Sequence, residues 1–286
     1  MRSSSYLWTE LGARLKLVRT GAGENLHWVF LPGGPGLGSE ALAPLTSLLT
    51  LPGTLWHLDL PGDDSNLKGS FKNWKPALLE AVTALENVIL VGHSKGGMLA
   101  LATPELQRCL KGLILLDTTP DMSWREQFAR RVLHFPLSQE TKVEMKKLEA
   151  AYRKKPSNNS IMKLTVAGAS FMFRKENLEK GVKFLRDLPY NYKAFQWTEA
   201  HFDPTYKARW IPKIPTLILA GEDDMATPLQ LFQKKEYQRS NILMREIKNA
   251  GHFPWMENPA DVVAAFNEYN QISFQKSDPL HRPGPE

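Results

Sequence analysis

The stretch Val88-Ile-Leu-Val-Gly92-His93-Ser94-Lys95-Gly96-Gly97-Met98 decides the fold of this chain. Its apolar beginning predicts a buried strand, and the residues from Lys95 onward predict a helix. Ser94 lies on the turn between them, where Gly92 and Gly96 permit a close backbone approach that larger side chains would block. A serine hydroxyl becomes a nucleophile only when a base takes its proton, so a turn that projects Ser94 indicates nucleophilic catalysis.

Residues 92–97 resemble the nucleophile elbow of the α/β-hydrolase superfamily. Upstream, Pro32-Gly-Gly34-Pro-Gly36 is similar to the His-Gly-Gly-Pro-Gly loop of its prolyl-iminopeptidase-like branch, with Pro32 where the family usually has histidine. The resemblance implies that backbone N–H groups of Gly34 and Lys95 bind the oxyanion, while Ser94 is the nucleophile. The proline removes a hydrogen-bonding side chain that would steady this loop.

A carboxylate follows a later apolar segment. Residues 216–220 predict a strand, and the next stretch, Gly221-Glu-Asp-Asp224-Met-Ala-Thr-Pro228, resembles the family's Gly-x-x-Asp-x-x-x-Pro signature. The resemblance implies Asp224 as the acid that orients the catalytic base. Asp117, at the end of the candidate strand 113–116, stays open as an alternative acid.

The candidate base is His252. It lies in Asn249-Ala-Gly-His252-Phe-Pro254, which resembles the family's histidine loop after the last strand. The order Ser94, Asp224, His252 along the chain is the order that this fold uses. These three residues are therefore the predicted catalytic set.

Both flanks of the chain alternate short apolar runs with amphipathic stretches, which predicts a mostly parallel sheet covered by helices. The resemblance implies an α/β-hydrolase fold with an eight-stranded sheet and an inserted helical cap. The candidate strands are 14–19, 26–31, 54–58, 88–91, 113–116, 216–220 and 243–247. The candidate helices are 40–49, 74–85, 95–106, 229–239 and 259–269.

The alternation stops between Pro120 and Pro212, where helical periodicity prevails. We predict a core domain of residues 1–119 and 213–276, a helical cap of residues 120–212, and a flexible tail of residues 277–286. Most aromatic residues of the cap are expected to form its core rather than line a substrate pocket. They are Trp124, Phe128, Phe135, Phe171, Phe173, Phe184, Trp197, Phe202 and Trp210.

Composition restricts the compartment and the partners. The 36 basic and 30 acidic residues give a net charge of +6, but they are interspersed, which argues against a nucleic-acid partner. Cys109 is the single cysteine, so no intrachain disulfide forms. Residues 1–20 lack the apolar core of a signal peptide, and no apolar run is long enough to span a bilayer. We expect a cytoplasmic protein without a membrane partner, and the oligomeric state stays open.

These features predict a serine hydrolase that cleaves a small-molecule carboxylic ester through an acyl-enzyme on Ser94, without a metal or organic cofactor. A prolyl-iminopeptidase-like aminopeptidase is one alternative and needs cap carboxylates such as Glu199. Lys95 favours anionic substrates, as in carbon–carbon bond hydrolases acting on acidic diketones, unless it points to solvent or pairs with a carboxylate. A non-catalytic ligand receptor on the same fold is a further alternative.

Overall fold

The computed structural model describes residues 6–22, 25–34, 36–62 and 70–274. Pro35 of the glycine-rich loop and the predicted tail 277–286 lie outside the described residues. The described chain forms an eight-stranded sheet in the order β1-β2-β4-β3-β5-β6-β7-β8. The strands are β1 Tyr6–Trp8, β2 Arg14–Thr20, β3 His27–Leu31, β4 Thr54–Asp59, β5 Val88–His93, β6 Leu110–Leu116, β7 Thr216–Gly221 and β8 Ile242–Ile247.

Strands β3 to β8 run parallel, whereas β1 and β2 pair in antiparallel fashion at one edge. Side chains alternate between the two faces of each central strand. Ile89 and Val91 accordingly join one hydrophobic core, while Val88 and Leu90 join a second core on the opposite face. Burial on both faces explains why these strands appear in the sequence as continuous apolar runs.

Helices cover both faces of the sheet. They are α1 Ala43–Leu48, α2 Trp74–Thr83, α3 Lys95–Leu101, α4 Ser123–His134, α5 Gln139–Lys154, α6 Asn158–Ala167, α7 Leu178–Asp187, α8 Tyr192–Trp197, α9 Pro254–Glu257 and α10 Pro259–Phe274. Helices α4 to α8 all lie between β6 and β7, in the segment predicted as the cap. No helix among the described residues combines the length and the apolar character that crossing a bilayer requires.

Two sequence predictions of local structure were wrong, and one strand was missed. The predicted helix 229–239 is two short 3₁₀ turns, Leu229–Phe232 and Lys235–Tyr237. The predicted helix 95–106 ends at Leu101, and a 3₁₀ turn begins at Pro104, because proline restricts the residue before it and has no N–H to donate. Strand β1 was missed, since its three exposed residues show no alternation between buried and polar positions.

Candidate functional site

Ser94 occupies the turn between β5 and α3, with φ 49° and ψ −117°. A non-glycine residue rarely adopts positive φ, so the surrounding contacts must hold it there. The Ser94 N–H donates to the Leu116 carbonyl at 2.8 Å, and its own carbonyl accepts from the Thr118 hydroxyl at 2.6 Å. A Cβ at Gly92 would lie 2.8 Å from Gly97, and one at Gly96 would lie 2.6 Å from the Leu31 carbonyl oxygen. The close packing predicted for this turn is therefore present.

The three predicted catalytic side chains meet at the carboxyl ends of the parallel strands. Ser94 Oγ lies 3.1 Å from His252 Nε2, and His252 Nδ1 lies 2.9 Å from Asp224 Oδ2. Ser94 follows β5, Asp224 follows β7 and His252 follows β8, so three distant segments converge on one hydrogen-bonded chain. This geometry allows the imidazole to accept the serine proton while the carboxylate holds its other nitrogen.

Asp224 is buried and well supplied with donors. The backbone N–H groups of Ala226 and Thr227 donate to its Oδ1 at 2.8 and 3.1 Å, and the Thr227 hydroxyl donates to its Oδ2 at 2.8 Å. Burial alone would raise the pKa of Asp224, but His252 and these hydrogen bonds outweigh it and lower the pKa to about 2. The carboxylate is therefore ionised at neutral pH.

The loop that carries His252 is fixed by backbone contacts from several sides. The backbone N–H of His252 donates to the Met172 carbonyl at 2.9 Å. The backbone carbonyl oxygen of His252 lies 3.1 Å from Nε2 of the buried His93. Burial, and then the proximity of His252, lower the pKa of His93 to about 3, so its neutral ring donates from Nε2. Next to it, the Gly251 N–H donates to the Glu257 carboxylate at 2.6 Å.

Asp117, the alternative acid, lies beside Asp224. Its Oδ1 accepts the Gly221 N–H at 2.9 Å, and burial followed by the charge of Asp224 raises its pKa well above the usual range. Ligand atoms of Asp117, Asp224 and His252 lie within 4.8 Å of one another, the one such group among the described residues. A cation there would compete with the His252–Asp224 hydrogen bond.

The predicted oxyanion donors, Gly34 and Lys95, line the same cavity as Ser94. Gly34 has φ 121° and lines the same cavity as Ser94 and His252. Lys95 is the first residue of α3, where backbone N–H groups have no partner within the helix. The role of Gly34 and Lys95 as oxyanion donors stays a prediction.

The Lys95 side chain pairs with Asp203, which Arg125 also contacts at 2.6 Å. The Lys95 and Asp203 side chains are only 12% and 3% exposed. Burial lowers the pKa of Lys95, while the charge of Asp203 opposes this change. Lys95 is thus paired with a carboxylate, as one of the two sequence interpretations predicted, and its charge is not free to bind an anionic substrate.

A cavity of about 510 Å³ opens above Ser94, and we name it the inner cavity. Its wall is mostly apolar and comes largely from the segment between β6 and β7. Of the aromatic residues singled out in the sequence, Trp124, Phe128 and Phe171 line it. Arg125, Glu199 and Asp203 supply charge at one side of the wall.

Sequence reasoning missed several supporting residues. Thr227 donates to Asp224, and its position three residues after the acid in the Asp-x-x-Thr-Pro run was a usable signal. Asp203 had no such signal, because it contacts Lys95 from 108 residues away. Glu257 lies only six residues after Gly251, to which it hydrogen-bonds, but no motif marked it.

Comparisons with known proteins agree with this architecture. No curated protein sequence matches the chain significantly. A thermophilic esterase from Thermogutta terrifontis is 19% identical, with a TM-score of 0.68 over 95% of this chain and 98% of that one. A proline iminopeptidase-related protein from Thermus thermophilus is 20% identical, with a TM-score of 0.69 over 94% and 98%. An esterase from Exiguobacterium antarcticum is 16% identical, with a TM-score of 0.66 over 93% and 98%.

These likenesses confirm the predicted fold. Residues 28–266 match the Alpha/beta hydrolase family. The match spans well over half of the chain and includes Ser94, Asp224 and His252. The chain therefore belongs to the alpha/beta hydrolase family.

Proposed function

We propose that the protein is a serine hydrolase that cleaves small-molecule carboxylic esters through an acyl-enzyme on Ser94. The hydrogen-bonded chain from Ser94 Oγ through His252 to the ionised Asp224 carries this proposal. A receptor that only binds a ligand has no need of a serine at positive φ aligned with a base and a buried acid. The site therefore favours catalysis over binding alone.

In the proposed reaction, Ser94 Oγ attacks the ester carbonyl carbon while its proton passes to His252 Nε2. The N–H groups of Gly34 and Lys95 stabilise the negative oxygen of the tetrahedral intermediate, and Asp224 stabilises the imidazolium. The intermediate collapses, the bond to the alcohol oxygen breaks, and His252 protonates the departing alkoxide. Water then gives a proton to His252, attacks the acyl carbon and releases the acid, and the proton returns to Ser94.

An ester with an apolar group is the favoured substrate because the inner cavity is lined mainly by aromatic and aliphatic side chains. The pairing of Lys95 with Asp203 argues against the acidic diketones of carbon–carbon bond hydrolases. We propose that residues 120–212 act as the cap that excludes water from this cavity, since most of its wall comes from them.

An aminopeptidase is the second candidate, and Glu199 favours it. Glu199 lines the inner cavity and forms no ion pair among the described residues, so it could hold a substrate amine. Burial raises the pKa of Glu199 and Arg125 opposes this effect, which leaves less free negative charge than an exposed carboxylate would offer. The basic neighbours of Glu199 make the ester the better supported substrate.

A substrate panel tests the proposal. We expect wild-type protein to cleave p-nitrophenyl butyrate faster than proline p-nitroanilide or an acidic diketone, and Ser94→Ala to abolish the activity. A fluorophosphonate should label Ser94 in wild type, and labelling should fall at least 100-fold in His252→Ala, roughly the contribution of a general base. Equal ester cleavage by wild type and Ser94→Ala would refute the assignment, and preference for the anilide would favour the aminopeptidase.

A further inference from the structure

A second cavity, of about 1120 Å³, lies next to the inner cavity, and we name it the outer cavity. The two cavities border opposite sides of the same chain segments. Leu164, Thr165 and Gly168 face the inner cavity, while Val166 and Ala167 face the outer one. The end of α6 and the residues after it therefore form a partition between them.

Helix α4 passes over both cavities. Phe128 lines the inner cavity and Arg131 lines the outer cavity. At a rise of about 1.5 Å per residue, these positions lie less than one helical turn apart. The two cavities thus meet beneath adjacent parts of α4.

Among the described residues, Phe171 is the one that borders both cavities. The residue is 7% exposed. The centroid of its ring lies 5.7 Å from that of Phe128, which it meets edge-on, and 5.3 Å from that of Phe135. Phe128 belongs to the inner wall and Phe135 to the outer wall. Rotation of a single aromatic side chain would therefore connect the two spaces.

The outer cavity has the chemistry of an apolar binding site with a charged rim. Near the partition it is lined by Val166, Ala169, Phe173, Leu178 and Val182. Arg174 pairs with both Asp223 and Glu176 at the rim. The other charged residues that line the cavity are Arg131, Lys175, Glu222 and Asp224. The apolar residues near the partition favour a methylene chain there, while the charged residues remain at the rim.

We propose that the outer cavity receives the distal methylene chain of a long-chain acyl ester whose carbonyl lies at Ser94, with the Phe171 side chain as the gate between the cavities. This inference rests on the proposed esterase function. The methylene groups that pass Phe171 leave water and contact aliphatic and aromatic side chains. Each buried methylene strengthens substrate binding about fourfold. Catalytic efficiency therefore rises with acyl length beyond what the inner cavity alone accommodates.

The test compares kcat/KM for p-nitrophenyl butyrate and p-nitrophenyl decanoate, both below their aggregation concentrations. Wild type is expected to prefer the decanoate. Ala167→Trp fills the outer cavity from its wall and should lower the decanoate-to-butyrate ratio at least tenfold, while Phe171→Leu opens the gate and should raise it. Phe184→Leu is the matched control, because Phe184 packs against Phe173 and Phe253 but lines neither cavity.

Val182→Phe fills the same cavity from α7 and serves if Ala167→Trp folds poorly. A ratio that stays at the wild-type value in a folded filling variant overturns the inference, even though butyrate is still cleaved. A folded wild-type protein that cleaves neither ester overturns the proposed function itself.

Discussion

Glu257 joins two segments that are distant in the sequence, and its removal is expected to slow catalysis more than it destabilises the fold. Its Oε2 accepts the Gly251 N–H at 2.6 Å, beside the candidate base. Its Oε1 accepts the Arg174 N–H at 2.9 Å and the Asn177 side-chain amide at 3.2 Å. One carboxylate thus holds the histidine loop against the chain that follows α6.

The size of the effect follows from these contacts. Glu257→Ala leaves the N–H of the buried Gly251 unpaired, and a lost hydrogen bond to a charged group costs about 1.5–3 kcal/mol. Arg174 and Asn177 are less buried, and water can replace the carboxylate there. Misplacement of His252 by about 1 Å would lower kcat about 100-fold, because the proton transfer depends on alignment.

The assay combines urea unfolding with kcat and KM for p-nitrophenyl butyrate, and adds the rate of fluorophosphonate labelling as a direct report on Ser94. Glu80→Ala is the matched control. Glu80 also accepts two backbone N–H groups, from Glu10 and Leu11 at 2.9 and 3.0 Å, but at the β1–β2 turn. We expect the loss in kcat and labelling only for Glu257→Ala. If both variants lose stability and both keep wild-type kcat, Glu257 does not position the base.

Three further predictions concern the acids and the buried histidines. Asp224→Asn should lower kcat about 10⁴-fold with little change in KM, because the amide favours the wrong imidazole tautomer. Asp117→Asn should change kcat less than threefold, about 0.6 kcal/mol, because burial raises the pKa of Asp117 and so disfavours the carboxylate form that a catalytic acid needs. A comparable loss of kcat in both variants would reopen the choice of acid. Burial lowers the pKa of His93 to about 3 and the pKa of His57 to about 4 in the folded chain. Below pH ~6.5 the two histidines are therefore protonated in the unfolded chain but still neutral in the folded chain. The free energy of unfolding should therefore fall by up to about 1.4 kcal/mol per pH unit for each histidine as the pH drops from 6.5 towards 4, and His93→Asn should reduce that slope in urea titrations.

The parts of this protein that could be predicted from sequence are those determined locally. The strand, glycine turn and helix around Ser94 are encoded in adjacent residues, and the acid and base each follow an apolar strand. The family's chain order of serine, acid and histidine then predicted that all three meet, and the parallel strands do place their carboxyl ends at one edge.

The remainder depends on contacts between distant segments. The helix predicted after Pro228 is replaced by two 3₁₀ turns, although nothing in its composition forbids a helix. Burial of Leu231 and Phe232 against the core overrides local preference there. The pairing of Lys95 with Asp203 likewise joins residues with no periodic relation in sequence. The same holds for the position of Phe171 between the two cavities.

The backbone of Ser94 has a consequence for engineering. Holding an L-residue at φ 49° costs of the order of 1–3 kcal/mol, and glycine would relieve that cost. A glycine at this position would remove the Ser94 hydroxyl and, by relieving the backbone strain, raise the free energy of unfolding. Stabilising this turn and keeping the Ser94 hydroxyl are therefore opposing aims in any engineering of the chain.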